Sequence, residues 1–354
     1  MPENHINNLS PLRLLTRSKS LNAFINKLQN LRYDLDNKEM KEHTFRVSGR
    51  EIQQARNAFS KMILKGEESL HLLCELFSEK YLKSYQIESQ VIGQIESSGE
   101  RFNLSQTITS KELYTTTDID LGNRQINKLQ FLDKGAWSKA LLVSNVVSYQ
   151  STKSNPFAIH RILSRIKAEE EIWNKVADEI FDLDHLVSRD KKLRHLGRYV
   201  KDVFGLKIIV NEAADADRIF KDLSTPVLFK NDLLKKFELD ANDETKQLQL
   251  VEFKDYLTPK NRKRSGWEAY KSVFKWNGRM FEIQIQTLHN FLRERELLTR
   301  ESHDGYKIKR ELIRDRISAD LPLYSFYREL LRWLFLNPQG SPPKYNGLTI
   351  EIIE

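Results

Sequence analysis

The tightest constraint in this chain is the pair Asn277-Gly278, set between two runs of alternating apolar character, Ala269 to Trp276 and Arg279 to Gln286. Asn-Gly suits a two-residue turn with positive φ at both positions, so the spacing predicts an antiparallel hairpin. In the second strand Phe281, Ile283 and Ile285 share one face, and Glu282, Gln284 and Gln286 share the other. Around the hairpin, Gly205 to Val210 reads as a buried strand and Leu248 to Phe253 as another. Ala213 to Leu223, Pro226 to Phe237 and Leu288 to Leu298 read as helices, and Ile159 to Phe181 as largely helical. Helices mixed with a sheet that contains an antiparallel hairpin indicate an α+β fold.

Upstream, Ser48 and Glu51 have capping-box spacing, followed by Ile52, Ala55, Phe59, Met62 and Ile63 at helical intervals. Gly66 is expected to break this helix. Leu70, Leu73, Phe77 and Tyr81 would then form the second arm of an α-hairpin. From Gln86 to Gln150 short strands and loops are expected, with Leu141 to Tyr149 the best strand candidate. The turn-rich segment Ser151 to Pro156 suggests a boundary, giving an N-terminal accessory region at 1–150, a central domain at 151–316 and a C-terminal helix and tail at 317–354. Leu321 to Leu334 is a dense apolar helix, either docked on the core or forming an oligomer interface. Leu348 to Ile353 reads as an edge strand.

Charge narrows the function. The net charge is +8, and Lys254 to Arg316 holds 16 basic and 9 acidic residues, so this stretch alone carries +7. Such concentration points to a phosphate-bearing partner, nucleotide or RNA. Cys74 is the only cysteine, which rules out an intramolecular disulfide and a cysteine-rich zinc site, and its apolar neighbours predict a buried thiol. No apolar run is long enough to span a bilayer, and Met1 to Ser20 lacks the apolar core of a signal peptide, so a cytoplasmic location is expected.

Four segments fall in a telling order: Arg165 to Lys175 (RIKAEEEIWNK), Lys201 to Ile208 (KDVFGLKI), Lys254 to Lys271 (KDYLTPKNRKRSGWEAYK) and Phe281 to Thr287 (FEIQIQT). His303, Tyr306 and Lys307 close the series. Together they resemble the synthetase domain of the RelA/SpoT alarmone family, over residues 155 to 316. The resemblance implies a nucleotidyltransferase-like mixed sheet flanked by helices. It also implies transfer of pyrophosphate from ATP to the 3′-hydroxyl of GDP or GTP, with Mg2+ as cofactor.

On that resemblance Arg165, Lys167 and Lys175 bind ATP, the two lysines being two helical turns apart. Asp202 and Glu282 hold magnesium, and Glu282 activates the attacking hydroxyl. Lys254, Lys260, Arg262, Lys263, Arg264 and Lys271 contact acceptor phosphates, and Trp267 stacks on the acceptor base. The departures cluster on the acceptor side. Ser265-Gly266-Trp267 stands for the family's Asn-Gly-Tyr, Glu268 and Lys271 for its following Arg and His, and Gln286 for an Arg. Elsewhere Glu171 replaces a serine and Lys207 an arginine. These departures admit a toxin-type relative that pyrophosphorylates the tRNA 3′ CCA end and is held by a neutralising antitoxin. They also admit a degenerate nucleotide- or RNA-binding sensor. The first 150 residues lack the His-Asp cluster of bifunctional relatives, so alarmone hydrolysis is not expected.

Overall fold

The computed structural model describes residues 10–36, 42–133, 135–183, 199–261, 266–300, 311–312 and 314–353. They fall into two compact units, each discontinuous in sequence. One comprises 1–63, 167–203 and 305–354, and the other 64–166 and 204–304.

The first unit is mainly helical. It contains α1 (Lys19–Asp36), the first half of α2 (Gly49–Phe77), α5 (Glu169–Ile180) and α10 (Pro322–Phe335). Its core is aromatic: Trp173 of α5 stacks on Phe335 of α10 with centroids 3.7 Å apart, and Phe59 of α2 packs on the Trp173 ring at 4.5 Å. Every apolar side chain of α10 from Leu323 to Leu334 is buried, so this helix is docked within its own chain. Buried Arg314 bonds Asp178 of α5 at 3.0 Å, and Tyr324 donates to the same carboxylate at 2.6 Å. Strand β1 (His43–Ser48) pairs in parallel with β11 (Leu348–Ile353), so the final strand lies on the first. The expected capping box is present: Ser48 N–H donates to Glu51 at 2.9 Å and Glu51 N–H to the Ser48 hydroxyl at 3.0 Å.

Gly66 does not end α2, which runs on to Phe77 and finishes in a π turn at Ser78–Leu82. The α-hairpin is therefore one long helix, because the second apolar set stays in phase with the first. The missing side chain at Gly66 makes room for the buried ring of Phe204.

The second unit is built on a nine-stranded mixed sheet flanked by helices, ordered β3-β2-β5-β6-β7-β10-β9-β8, with β4 (Gln130–Asp133) paired to β5. The strands are β2 (Tyr85–Ile95), β3 (Arg101–Ile108), β5 (Ala136–Ser151), β6 (Ile159–Ile166), β7 (Phe204–Val210), β8 (Gln249–Asp255), β9 (Tyr270–Trp276) and β10 (Arg279–Thr287). Only β7 and β10 run parallel; the other pairs are antiparallel. The β9–β10 turn has φ of 45° at Asn277 and 75° at Gly278, as that dipeptide predicts. Strand β5, ending at Ser151, sits in the same sheet as the strands after it.

Several elements differ from the sequence reading. Ile159–Ile166 is a strand, and helix begins only at Glu169. Asn155 sets this up: its side-chain oxygen accepts from Phe157 N–H and Ile159 N–H, and its amide donates to Ile159 carbonyl at 2.7 Å. The segment then hydrogen-bonds to β5 on one side and β7 on the other, which overrides local helix propensity. Between β3 and β5 lie two helices missed by the periodicity, α3 (Ser110–Thr115) and α4 (Asp118–Ile126), capped by Thr109 and Thr117. Helix α6 (Ala213–Leu223) has the expected bounds. The expected helix at Pro226 to Phe237 contracts to α7 (Asn231–Lys236), with a further short turn at α8 (Asp243–Lys246). Helix α9 (Leu288–Arg300) follows β10 directly. Cys74 is fully buried.

Candidate functional site

Register across the second unit's sheet places the candidate residues in two rows on one face. Residues directly opposite in a ladder share a face. One row reads Arg165 (β6), Gly205 (β7), Glu282 (β10), Val273 (β9) and Glu252 (β8). The next reads Leu163, Lys207, Gln284, Lys271 and Lys254 on the same strands. Arg165 and Glu282 are thus two strands apart, roughly 10 Å between backbones. The residue between them is a glycine, so no side chain fills that gap.

Glu282 is the centre of this face. It is 8 % exposed and lies on a strand paired on both sides. Lys271 Nζ lies 2.5 Å from its Oε2, and the Gln284 amide donates to Oε1 at 2.7 Å. Lys254, on the edge strand, pairs with Glu252 at 2.7 Å. A buried carboxylate between lysines can shed its cation to an incoming phosphate and keep a hard oxygen for a metal or a hydroxyl proton.

The far end of the face is covered by α9. Leu288 and Phe291 pack on Leu163 and Ile209, and Glu294 reaches Lys207 at 2.8 Å and the Gln286 amide at 2.9 Å. Burial works to raise the Glu294 pKa, but Lys207, then Gln286 and the Trp267 side chain, hold it below the ordinary carboxylate value. Trp267 is therefore anchored by its indole N–H while its half-buried ring stands edge-on to Tyr256 at 5.7 Å. Gly266 before it has φ of 73°, a left-handed conformation suited to glycine.

The loop from β8 is an ordered turn. Asp255 accepts from Leu257 N–H at 2.8 Å and Thr258 N–H at 2.9 Å, leading into a 3-10 turn at Pro259–Asn261 with Lys260 exposed. Arg262, Lys263 and Arg264 lie outside the described residues, as do His303, Tyr306 and Lys307.

In the first unit Lys167 and Lys175 meet, but not along one helix. Lys167 precedes α5, its backbone N–H bonded to Val203 carbonyl at 2.9 Å, and only Lys175 is helical. They converge on Asp202 instead: Lys167 Nζ donates to Oδ2 at 3.0 Å and Lys175 Nζ contacts both oxygens. Two ammonium groups share this carboxylate in a largely buried setting, where charge interactions are strongest.

Sequence reasoning passed over three participants. Lys207 stands in a quoted motif and could have been found from its strand alternation. Glu252 and Glu294 carry no local signal, because only strand pairing and the docking of α9 bring them to this face.

No protein-family model matches the chain, and no curated protein does. Solved structures similar to it include small alarmone synthetase 1 from Bacillus subtilis bound to its product pppGpp, at 20 % identity over 46 % of this chain and 74 % of that one, with TM-score 0.25. Another structure of the same enzyme aligns at 18 % identity over 46 % and 82 %, TM-score 0.24. The protein smu.1046c from Streptococcus mutans UA159 aligns at 18 % over 51 % and 76 %, TM-score 0.25.

Proposed function

We propose that the chain is a magnesium-dependent pyrophosphokinase that transfers the β,γ-pyrophosphate of ATP to the ribose 3′-hydroxyl of GDP or GTP. The observation that carries this reading is Glu282, buried at the centre of a sheet face crossed by Lys207, Lys271 and Lys254. The acceptor oxygen attacks the β-phosphorus, the bond to the α,β-bridging oxygen breaks, and AMP leaves with that electron pair. Glu282 takes the hydroxyl proton, while Lys271 and Lys254 neutralise acceptor phosphates and Trp267 offers a ring for base stacking. On the family resemblance Lys167, Lys175 and Arg165 are the ATP-binding cations, and the first two are held in the structure by Asp202.

The carboxylate oxygens of Glu282 are hard donors of the type magnesium takes, and Asp202 carries the same assignment from the family resemblance. Bound magnesium would supply charge neutralisation on the triphosphate. Most of the rate gain expected of such a site comes from positioning and electrostatics.

The test is incubation with magnesium and ATP labelled at the γ-phosphate, with GDP, GTP, ATP or deacylated tRNA as separate acceptors. Label on a guanine nucleotide, lost in Glu282→Gln, supports the reading. Label on tRNA alone keeps the chemistry and moves the acceptor to RNA. Label on no acceptor refutes pyrophosphate transfer.

A further inference from the structure

The second unit contains another polar cluster, away from the residues used above. Glu67 and His71 stand four apart on α2, so their side chains share one face of the helix. Asp118, the first residue of α4, completes the group: its Oδ1 lies 3.0 Å from His71 Nε2, and its backbone N–H donates to Glu67 Oε1. Tyr149 of β5 holds the other imidazole nitrogen at 3.1 Å, and the Asn145 amide donates to the Asp118 carbonyl at 2.7 Å. Glu67 and Asp118 are each 6 % exposed and His71 is fully buried. One ligand atom from each of the three lies within 4.8 Å of the others.

The cluster is short of positive charge. Two buried carboxylates face one imidazole. Glu67 Oε1 accepts from the Asp118 N–H, and Asp118 Oδ1 faces His71 Nε2. Setting two carboxylates this little exposed beside one imidazole costs desolvation that a bound cation would offset.

We propose that Glu67, His71 and Asp118 bind one divalent first-row transition cation of the zinc or manganese class. Imidazole nitrogen with carboxylate oxygen suits these ions better than magnesium or calcium, which take oxygen alone. The 3.0 Å between His71 Nε2 and Asp118 Oδ1 already matches two ligand atoms on a cation with bonds of about 2.0–2.2 Å. Ligation through Nε2 requires the proton on Nδ1, where it donates to the Tyr149 hydroxyl. That partner fixes the tautomer and the ring, as outer hydrogen bonds do at metal-bound histidines. Burial raises the Tyr149 pKa well above the usual phenol, so it stays neutral in this role. The cation would tie α2, α4 and β5 into one body, independently of whether the chain transfers pyrophosphate.

The test is metal content of the purified full chain by mass spectrometry, followed by thermal unfolding after chelation and after adding back Zn2+ or Mn2+. The wild type is expected to hold about one equivalent and to lose and regain melting temperature with it. The isosteric Glu67→Gln and Asp118→Asn should hold little and respond little. Tyr149→Phe should bind about 10-fold to 100-fold more weakly. A wild type without metal, whose melting temperature rises no more with Zn2+ or Mn2+ than that of Glu67→Gln, overturns the proposal. Equal metal content in wild type and Glu67→Gln overturns it as well.

Discussion

Replacing Gly66 by alanine sets two effects of known size against each other. In a helix interior, glycine to alanine is worth about 1 kcal/mol of added stability, through lost backbone freedom in the unfolded chain. Here the new Cβ would come under 3.0 Å from three carbons of the Phe204 ring, which is 1 % exposed and starts β7. Phe204 is a rigid ring rather than the free end of a flexible side chain, so strand or helix must shift. Overpacking of this kind costs about 1–3 kcal/mol, occasionally more. With the clash on several ring atoms, the upper end applies, and Gly66→Ala should lose about 1–2 kcal/mol net, or about 2–4 °C per kcal/mol in a body of this size. Gly49→Ala in the same helix meets nothing within 4 Å and serves as the control, expected neutral or slightly stabilising. Urea and thermal unfolding of both variants, and of Gly66→Ala in a Phe204→Leu background, would decide the matter. The smaller leucine should relieve the clash, so the double variant should lose less than the two single losses added together. The next residue, Gly205, pairs with Glu282, so displacement of β7 should also depress transfer activity. A Gly66→Ala chain as stable as wild type would refute the packing argument.

Other consequences follow from the site. Asp202→Asn leaves Lys167 and Lys175 without their shared anion, so a non-hydrolysable ATP analogue should bind as tightly or tighter by calorimetry while transfer falls about 100-fold or more. Lys207→Met strands the half-buried Glu294 carboxylate and should cost about 1–2 kcal/mol, between the values for exposed and buried pairs. Because the folded Glu294 pKa is depressed below 4.5, its contribution is present above that value and lost as pH falls through the folded pKa. In Lys207→Met the acid limb of the melting curve should therefore move to higher pH. Trp267→Leu removes both the stacking ring and the indole donor to Glu294. It should raise KM for the acceptor while leaving KM for ATP within about twofold. Equal effects on both substrates would argue against an acceptor role.

Much of the sheet could be read directly from residues. Asn277-Gly278 dictated a turn because few other pairs accept positive φ twice, and strict alternation on either side determined which face Glu282 would take. The Ser48 and Glu51 cap was legible for the same reason, being a contact between residues three apart. Failures came where distant partners decide. Ile159 to Ile166 has residues that suit helix or strand, and pairing with β5 and β7 chose strand. Gly66 looks like a helix stop until Phe204, over a hundred residues away, is seen to occupy the space.

The candidate site divides along the same line. Sequence alone determined which residue types were available: a carboxylate at 282 on an alternating strand, lysines at 167, 175, 254 and 271, and a tryptophan after glycine at 267. These are local facts, set by side-chain period and motif order. Only the tertiary structure decided that Lys167 and Lys175 meet through Asp202, that Lys207, Lys271 and Lys254 line up in one row, and that Glu294 anchors Trp267. It alone brought Asp118 to Glu67 and His71. Such arrangements depend on strand register and on helices docking from remote parts of the chain. Register is chosen by burial of whole faces at once, so no short stretch of sequence carries it.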